Sequence, residues 1–159
     1  MSELEELEAQ VGRLEDVEAI KKLKYRYFRF LDTKLWNELA DCFTEDATTA
    51  YAGGTYAFHG RDAIMKFLSE SLATSPAMHL GHQPEIEFTS DTTATGTWQM
   101  YGYLIQNEAS RFMRAAAFYH DEYVKVDGEW KIKSTGYDRV FEESWRGDDL
   151  PSLKVKAGT

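Results

Sequence analysis

The amino-acid sequence predicts an α+β fold: three N-terminal helices packed on a strongly curved, mostly antiparallel sheet, a cone whose two layers enclose a pocket. Three features point there. Apolar residues recur at helical spacing through the first third of the 159-residue chain, strand-like segments follow Leu72 without another helix, and a strong turn signal separates the last two strands.

Leu4, Leu7, Val11, Leu14, Val17, Ile20, Leu23, Tyr27 and Phe30 are spaced by three or four and predict one long helix with a single apolar stripe. Glu residues crowd its first turns, and Lys21, Lys22, Lys24, Arg26 and Arg29 gather toward the other end, as the helix dipole favours. Asp32-Thr33 reads as a break and a new N-cap, because Leu35, Trp36, Leu39, Ala40 and Phe43 carry a second, shorter stripe. Two segments, ATTAY and TYAF, flank Gly53-Gly54 and read as a hairpin, followed by a helix from near Arg61 to near Leu72. The segments Thr92–Gln106, Arg111–Val126 and Trp130–Phe141 then form a meander, the last two joined at Asp127-Gly128. A bent sheet and a helix layer approach more closely at the rim than at the centre, which leaves a hollow on the concave side. The expected organisation is a single domain over residues 1–145 and a tail over 146–159 that is either a loose end or an arm on a partner subunit.

Composition narrows the function classes. A formal charge of -9 repels phosphate backbones and anionic lipid, so neither nucleic acid nor a membrane is an expected partner. Cys42 is the one cysteine, so no internal disulfide forms, and no segment reads as a signal peptide or a membrane span; a reduced cytoplasm is the expected location. The sequence lacks GxGxxG, a P-loop, GxSxG and HExxH, and neither a cofactor nor a metal is expected.

Four histidines are available as bases: His59, His79, His82 and His120. In MHLGH, His79 and His82 stand three apart on a strand and face opposite sides unless Gly81 breaks the pleat, so one of them is structural. Asp32 either caps the next helix or accepts a proton from one imidazole nitrogen, freeing the other nitrogen to act as a base. Tyr27, five residues earlier, is offset from it by about 140° on a helix, so the two flank one pocket at most. Tyr51, Tyr56, Tyr101 and Tyr103 suit a large flat ligand and suit strand packing equally. On the long strand, Trp98, Met100 and Gly102 share the inner parity, and Gly102 leaves an empty spot in the wall. Arg139 has the wrong parity to join Trp130 and Ile132 unless a bulge at Gly136 turns it inward; there it binds an anionic group or pairs with Glu142 or Glu143.

DVEAIKKLKYRYFRFLD, the W-x-E-L that follows, MHLGHQPEI, TTATGTW and DGEWKIKSTGYDRVFEE occur in an order and spacing that resemble the SnoaL-like branch of the nuclear transport factor 2-like superfamily. Within it the chain is most similar to the bacterial bile acid 7-alpha-dehydratases. The resemblance implies an α+β cone, an oligomer, and a pocket in which a His–Asp pair, a Tyr and an Arg handle a steroid without metal or bound cofactor; the Phe and Tyr residues of the outer sheet face also predict a homo-oligomer, trimer or dimer. Position by position the resemblance implies Tyr27, Asp32, His79 and Arg139 as catalytic; Tyr51, His82, Trp98, Met100 and Gly102 are the residues expected around the substrate. Those dehydratases carry an acid where this chain has Gly102, and hydroxide leaves poorly without a proton donor. The expected activity is therefore a cofactor-independent dehydratase acting on a steroid-like or polycyclic alcohol, with an isomerase or cyclase, or a ligand-binding protein without catalysis, as the alternatives.

Overall fold

A computed structural model describes residues 2–106 and 110–150, together with Ser152 and Lys154. Helix α1 (Glu3–Thr33) begins at a reciprocal cap in which Ser2 Oγ accepts from the Glu5 amide and Glu5 Oε2 accepts from the Ser2 amide. It stops where Lys34 turns into the left-handed region at φ 62°. Asp32 thus lies inside the last turn of α1 and not at a new N-cap. The next helix, α2 (Trp36–Ala40), starts from Leu35 without a side-chain cap, and Phe43 already belongs to a strand.

Strands β1 (Phe43–Tyr51) and β2 (Tyr56–His59) form the expected hairpin, and α3 (Arg61–Leu72) follows. Strands β3 (Ala77–Phe88), β4 (Thr93–Gln106), β5 (Arg111–Val126) and β6 (Glu129–Arg146) complete one sheet of order β2-β1-β6-β5-β4-β3. Only the β1–β6 pairing is parallel. The last strand runs to Arg146, and a 3-10 turn covers Gly147–Asp149; most of the rest of the expected tail lies outside the described residues.

The single stripe expected along α1 splits in two. Leu14, Val17, Ile20 and Leu23 follow one another in steps of three, each of which swings the stripe by about 60° round the axis. Ile20, Leu23, Tyr27, Phe28 and Leu31 therefore face the sheet and are buried, whereas Leu4, Leu7, Val11 and Leu14 are exposed. Against the buried half pack Ile64 and Leu68 of α3, Trp98 and Met100 of β4, Tyr119 and Tyr123 of β5, and Ile132 of β6.

Two bulges shape β6. The register passes from Tyr123↔Ile132 to Glu122↔Ser134, which leaves Lys133 unpaired, and from Ala117↔Arg139 to Ala116↔Phe141, which leaves Val140 unpaired. Each extra residue reverses the inward parity. The inner face consequently reads Trp130, Ile132, then Thr135, Tyr137, Arg139, then Glu142. Gly136 is not the bulge: a Cβ there would meet the Ala50 carbonyl oxygen at 2.6 Å, so glycine serves the close parallel approach of β1. No described helix is long and apolar enough to cross a membrane.

Candidate active site

The concave side of the sheet and the helix layer enclose a cavity of about 510 Å³. Leu31, Phe67, Leu68, Leu72, Met100, Leu104 and Met113 give it an apolar wall; His79, six tyrosines (Tyr27, Tyr51, Tyr56, Tyr103, Tyr119 and Tyr137), Arg139 and Glu142 supply polar groups. Apolar walls with polar groups set among them are the usual make-up of a small-molecule site.

Asp32 and His79 meet at its edge. Asp32 Oδ2 accepts the His79 backbone amide at 2.7 Å, and Oδ1 is 2.6 Å from Nδ1 of the same residue. The carboxylate thereby fixes both the backbone and the ring of one histidine, which is why it does not cap α2. With Nδ1–H donated to Asp32, Nε2 is left without a proton in the neutral ring and can act as a base. The Cδ2–Nε2 edge lies beside Gly102: a Cβ there would stand 3.4 Å from Cδ2, 3.8 Å from Nε2 and 3.3 Å from Met100 Sδ, so the spot expected to be empty is filled by His79 and Met100. The ring is further held by Phe28, which stacks on it nearly parallel, at 12°. Gly81 serves this stack and does not break the pleat, since a Cβ at Gly81 would run into Phe28 Cε2 at 2.2 Å.

With the strand regular from Ala77 to His82, its three-residue spacing puts His82 on the opposite face, exposed and away from the cavity. The strand breaks step only after His82, where Gln83 adopts φ 48°. His82 is therefore removed from the expected pocket set. Trp98 is removed as well: it is fully buried under α1 beyond the end of the cavity, its Nε1 donating to Tyr123 Oη at 2.9 Å. Met100 and Gly102 do line the wall.

Tyr27 and Tyr51 both reach the cavity, with their hydroxyls 3.3 Å apart. Burial pushes the Tyr27 phenol well above its ordinary pKa, neighbouring Tyr119 and Tyr51 adding to the effect, and burial raises Tyr51 too. Both remain protonated donors at working pH. Arg139 points inward because of the Lys133 bulge; its Nη1 pairs with Glu142 Oε2 at 3.0 Å, and its Nη2 donates to Tyr137 Oη at 3.4 Å. The inward turn and the Glu142 pairing thus coexist.

Tyr119, Tyr137 and Glu142 escape sequence reasoning, the last two because their parity depends on bulges. The buried pair of Lys24 and Asp121 escapes it too. Lys24 Nζ lies 2.7 Å from Asp121 Oδ2, both side chains fully sealed from solvent, and the ammonium sits 3.8 Å from the Tyr119 ring centre. Tyr123 Oη and Thr135 Oγ1 donate to the two Asp121 oxygens at 2.6 Å each. Only the position of Lys24 between Leu23 and Tyr27 on the buried stripe signalled it. Cys42 is buried, its thiol pushed up to about 11 by that burial, so it fills the core and is no nucleophile. Among the described residues no three His, Cys, Asp or Glu side chains converge as a metal site.

A SnoaL-like domain family model matches residues 12–136. Among solved structures, one carrying the name of a candidate scytalone dehydratase, from Novosphingobium aromaticivorans DSM 12444, is 27% identical, covers 86% of this chain and 92% of its own, and superposes with a TM-score of 0.79. Hexachlorocyclohexane dehydrochlorinase LinA-type3 from Novosphingobium barchaimii LL02 is 19% identical over 94% of this chain and 99% of its own, with a TM-score of 0.79. A further structure, nuclear transport factor 2-like with a cystatin-like fold, from Novosphingobium aromaticivorans, is 19% identical over 88% and 92% with a TM-score of 0.74. The last two establish a shared fold.

Proposed function

The chain belongs to the SnoaL-like domain family, and on that premise we propose that it is a cofactor-independent carbon–oxygen lyase, a dehydratase for a steroid-like or polycyclic alcohol of the bile-acid type. The observation that carries the reading is one histidine clamped through Nδ1 by a carboxylate while its Nε2 edge lies beside Gly102 in the cavity wall. Similarity to a candidate scytalone dehydratase supports elimination as the reaction class.

In this mechanism Nε2 of His79 removes a C–H proton made acidic by a carbonyl conjugated to it through a C=C bond, and the electron pair moves through that bond onto the carbonyl as an extended enolate. Asp32 stabilises the imidazolium that forms. Tyr27, kept protonated by burial and placed beside Tyr51, donates to the enolate oxygen. The pair then returns to expel hydroxide, which takes the proton from the imidazolium, so that one C–H and one C–O bond break and water is released. Arg139 orients the substrate from the far wall. Gly102 favours a second reading, an isomerase or cyclase, since a glycine supplies no acid for the leaving oxygen.

Incubation with a 7-alpha-hydroxy-3-oxo-4-ene steroid tests the proposal by product mass. Loss of water supports the lyase, rearrangement at constant mass supports the isomerase, and tight binding without turnover points to a carrier. In His79→Ala and Asp32→Asn, turnover falls by about 10²-fold or more with the fold intact; unchanged turnover in His79→Ala contradicts the dyad. We also propose a homo-oligomer, trimer or dimer, because Leu80, Tyr101, Ala116 and Phe141 lie in register across the outer sheet face with Phe118 beside them, and the first, second and last of these and Phe118 are large and exposed.

A further inference from the structure

Three strands present a row of hydrogen-bond donors at the open end of the cavity. Gln106 of β4 stands in register with Arg111 of β5, and Arg111 in register with Arg146 of β6. Along the inner face of β5 burial rises from exposed Arg111 through half-buried Met113 to buried Ala115 and Ala117, so this row lies at the mouth. Gln106 and Arg111 line the cavity, and Arg111 also borders an outer recess of about 350 Å³ with Ser144, Arg146 and Asp149.

Charge in this row is unbalanced, unlike that beside it. Arg114 stands opposite Glu143 on the same two strands and forms an ion pair with it, and Arg139 pairs with Glu142. Arg111 and Arg146 instead face each other, and like charges directly opposite on neighbouring strands are destabilising. Arg111 Nη2 donates to Ser144 Oγ at 2.8 Å, yet among the described residues neither guanidinium is in an ion pair. Asp149 is the carboxylate that lines the recess, and its Oδ2 accepts the Arg146 backbone amide at 2.8 Å. Two guanidiniums against that carboxylate leave one positive charge in excess. The row also stands at a fixed reach from the base. His79 pairs with Gly102 across β3 and β4, and Gln106 lies four residues further along β4, about 13 Å at the usual strand rise.

We propose that Gln106, Arg111 and Arg146 form a subsite for a carboxylate that the substrate carries at the end remote from its reacting carbon. The subsite rests on the reading of this cavity as the site of elimination. Planar guanidinium forks match the two oxygens of a carboxylate, whose single negative charge balances the excess and relieves the repulsion between the two arginines. The reach from His79 places that acid on a short chain beyond the ring system.

Two probes test it: a 7-alpha-hydroxy-3-oxo-4-ene steroid whose side chain ends in a carboxylic acid, and its methyl ester. Affinities are measured by calorimetry on the full chain carrying His79→Ala, so that neither probe is consumed. The acid binds about tenfold or more tightly than the ester. Adding Arg111→Gln and Arg146→Gln brings the acid down to the ester and leaves the ester unchanged, whereas Arg114→Gln, whose arginine already pairs with Glu143, keeps the preference. Both mouth arginines are exposed, so far-UV circular dichroism is the same in every variant. Equal affinity for acid and ester, a preference that survives the loss of both arginines, or no binding of the acid overturns the subsite. Water loss in the parent separates this outcome from the reading beneath it. Acid and ester dehydrated with equal kcat/KM remove the subsite and keep the lyase; an arginine-dependent preference for the acid with no water lost keeps the subsite and removes the lyase.

Discussion

Helix α1 contributes to two carboxylate–base pairs whose fates differ: Lys24 meets Asp121 of β5, and eight residues later Asp32 meets His79 of β3. Both Asp121 oxygens are engaged: Oδ2 accepts from Tyr123 and lies 2.7 Å from the Lys24 ammonium, Oδ1 accepts from Thr135, and neither Lys24 nor Asp121 has any exposed side chain. Asp32 commits both oxygens to a single residue, and His79 retains a side-chain exposure of 18%. The chemistry of the two pairs is similar; what remains unpaired distinguishes them. A closed network leaves nothing for a ligand and serves the fold, whereas a half-used imidazole at a cavity wall is equipped to move a proton.

The contrast breaks most visibly in stability. Asp121→Asn leaves the buried Lys24 ammonium without a counter-charge, and breaking a sealed pair of this kind costs about 3–5 kcal/mol. Desolvation already depresses the Lys24 pKa, with Asp121 opposing it, so the loss of that carboxylate depresses it further. Urea unfolding at neutral pH reads the effect, and Lys24→Met with Asp121→Leu recovers only part of the loss, because the buried Tyr123 and Thr135 hydroxyls then lack their acceptor. Asp32→Asn, on a partly exposed pair, costs about 1 kcal/mol or less. Equal losses at the two sites would remove the distinction.

A smaller effect comes from a third carboxylate of α1. Burial alone would raise Asp16, but hydrogen bonds from Lys125 and Trp130 outweigh it and hold the carboxyl below its usual range. A depressed carboxyl contributes stability above its unfolded pKa of about 4 and loses it as pH falls through the lower folded value. Asp16→Asn therefore costs about 1 kcal/mol at pH 7, and the gap to the parent closes in melts taken progressively below about pH 4. A gap that persists in acid would show that geometry, not charge, is what Asp16 supplies.

Element types and order were legible because each rests on local signals. The helix Arg61–Leu72 and the turn at Asp127-Gly128 stand where period and turn chemistry place them. Inward and outward faces on β4 follow from alternation alone: Ala94, Gly96, Trp98, Met100 and Gly102 are all buried. What stayed hidden depends on pairing between distant strands. Nothing near Lys133 or Val140 announces a bulge, yet those two residues decide that Tyr137, Arg139 and Glu142 line the cavity. Trp98 has the right parity and the wrong depth, because parity selects a face and not a position along it. The rotation of the α1 stripe, by contrast, was present in the steps of three from Leu14 to Leu23. Asp32 and His79 are 47 residues apart, so their meeting is a property of the fold and not of spacing.

The central claim is that Asp32 holds His79 in the tautomer that leaves Nε2 free toward the cavity. Nitrogen-15 spectra of the side-chain imidazoles, at a pH where His79 is neutral, test it without any substrate. The account predicts that His79 carries its proton on Nδ1, with Nε2 unprotonated, and that Asp32→Asn abolishes this preference while the spectrum of exposed His82 is unchanged. A neutral His79 protonated on Nε2, or one whose tautomer is the same in Asp32→Asn, would contradict it.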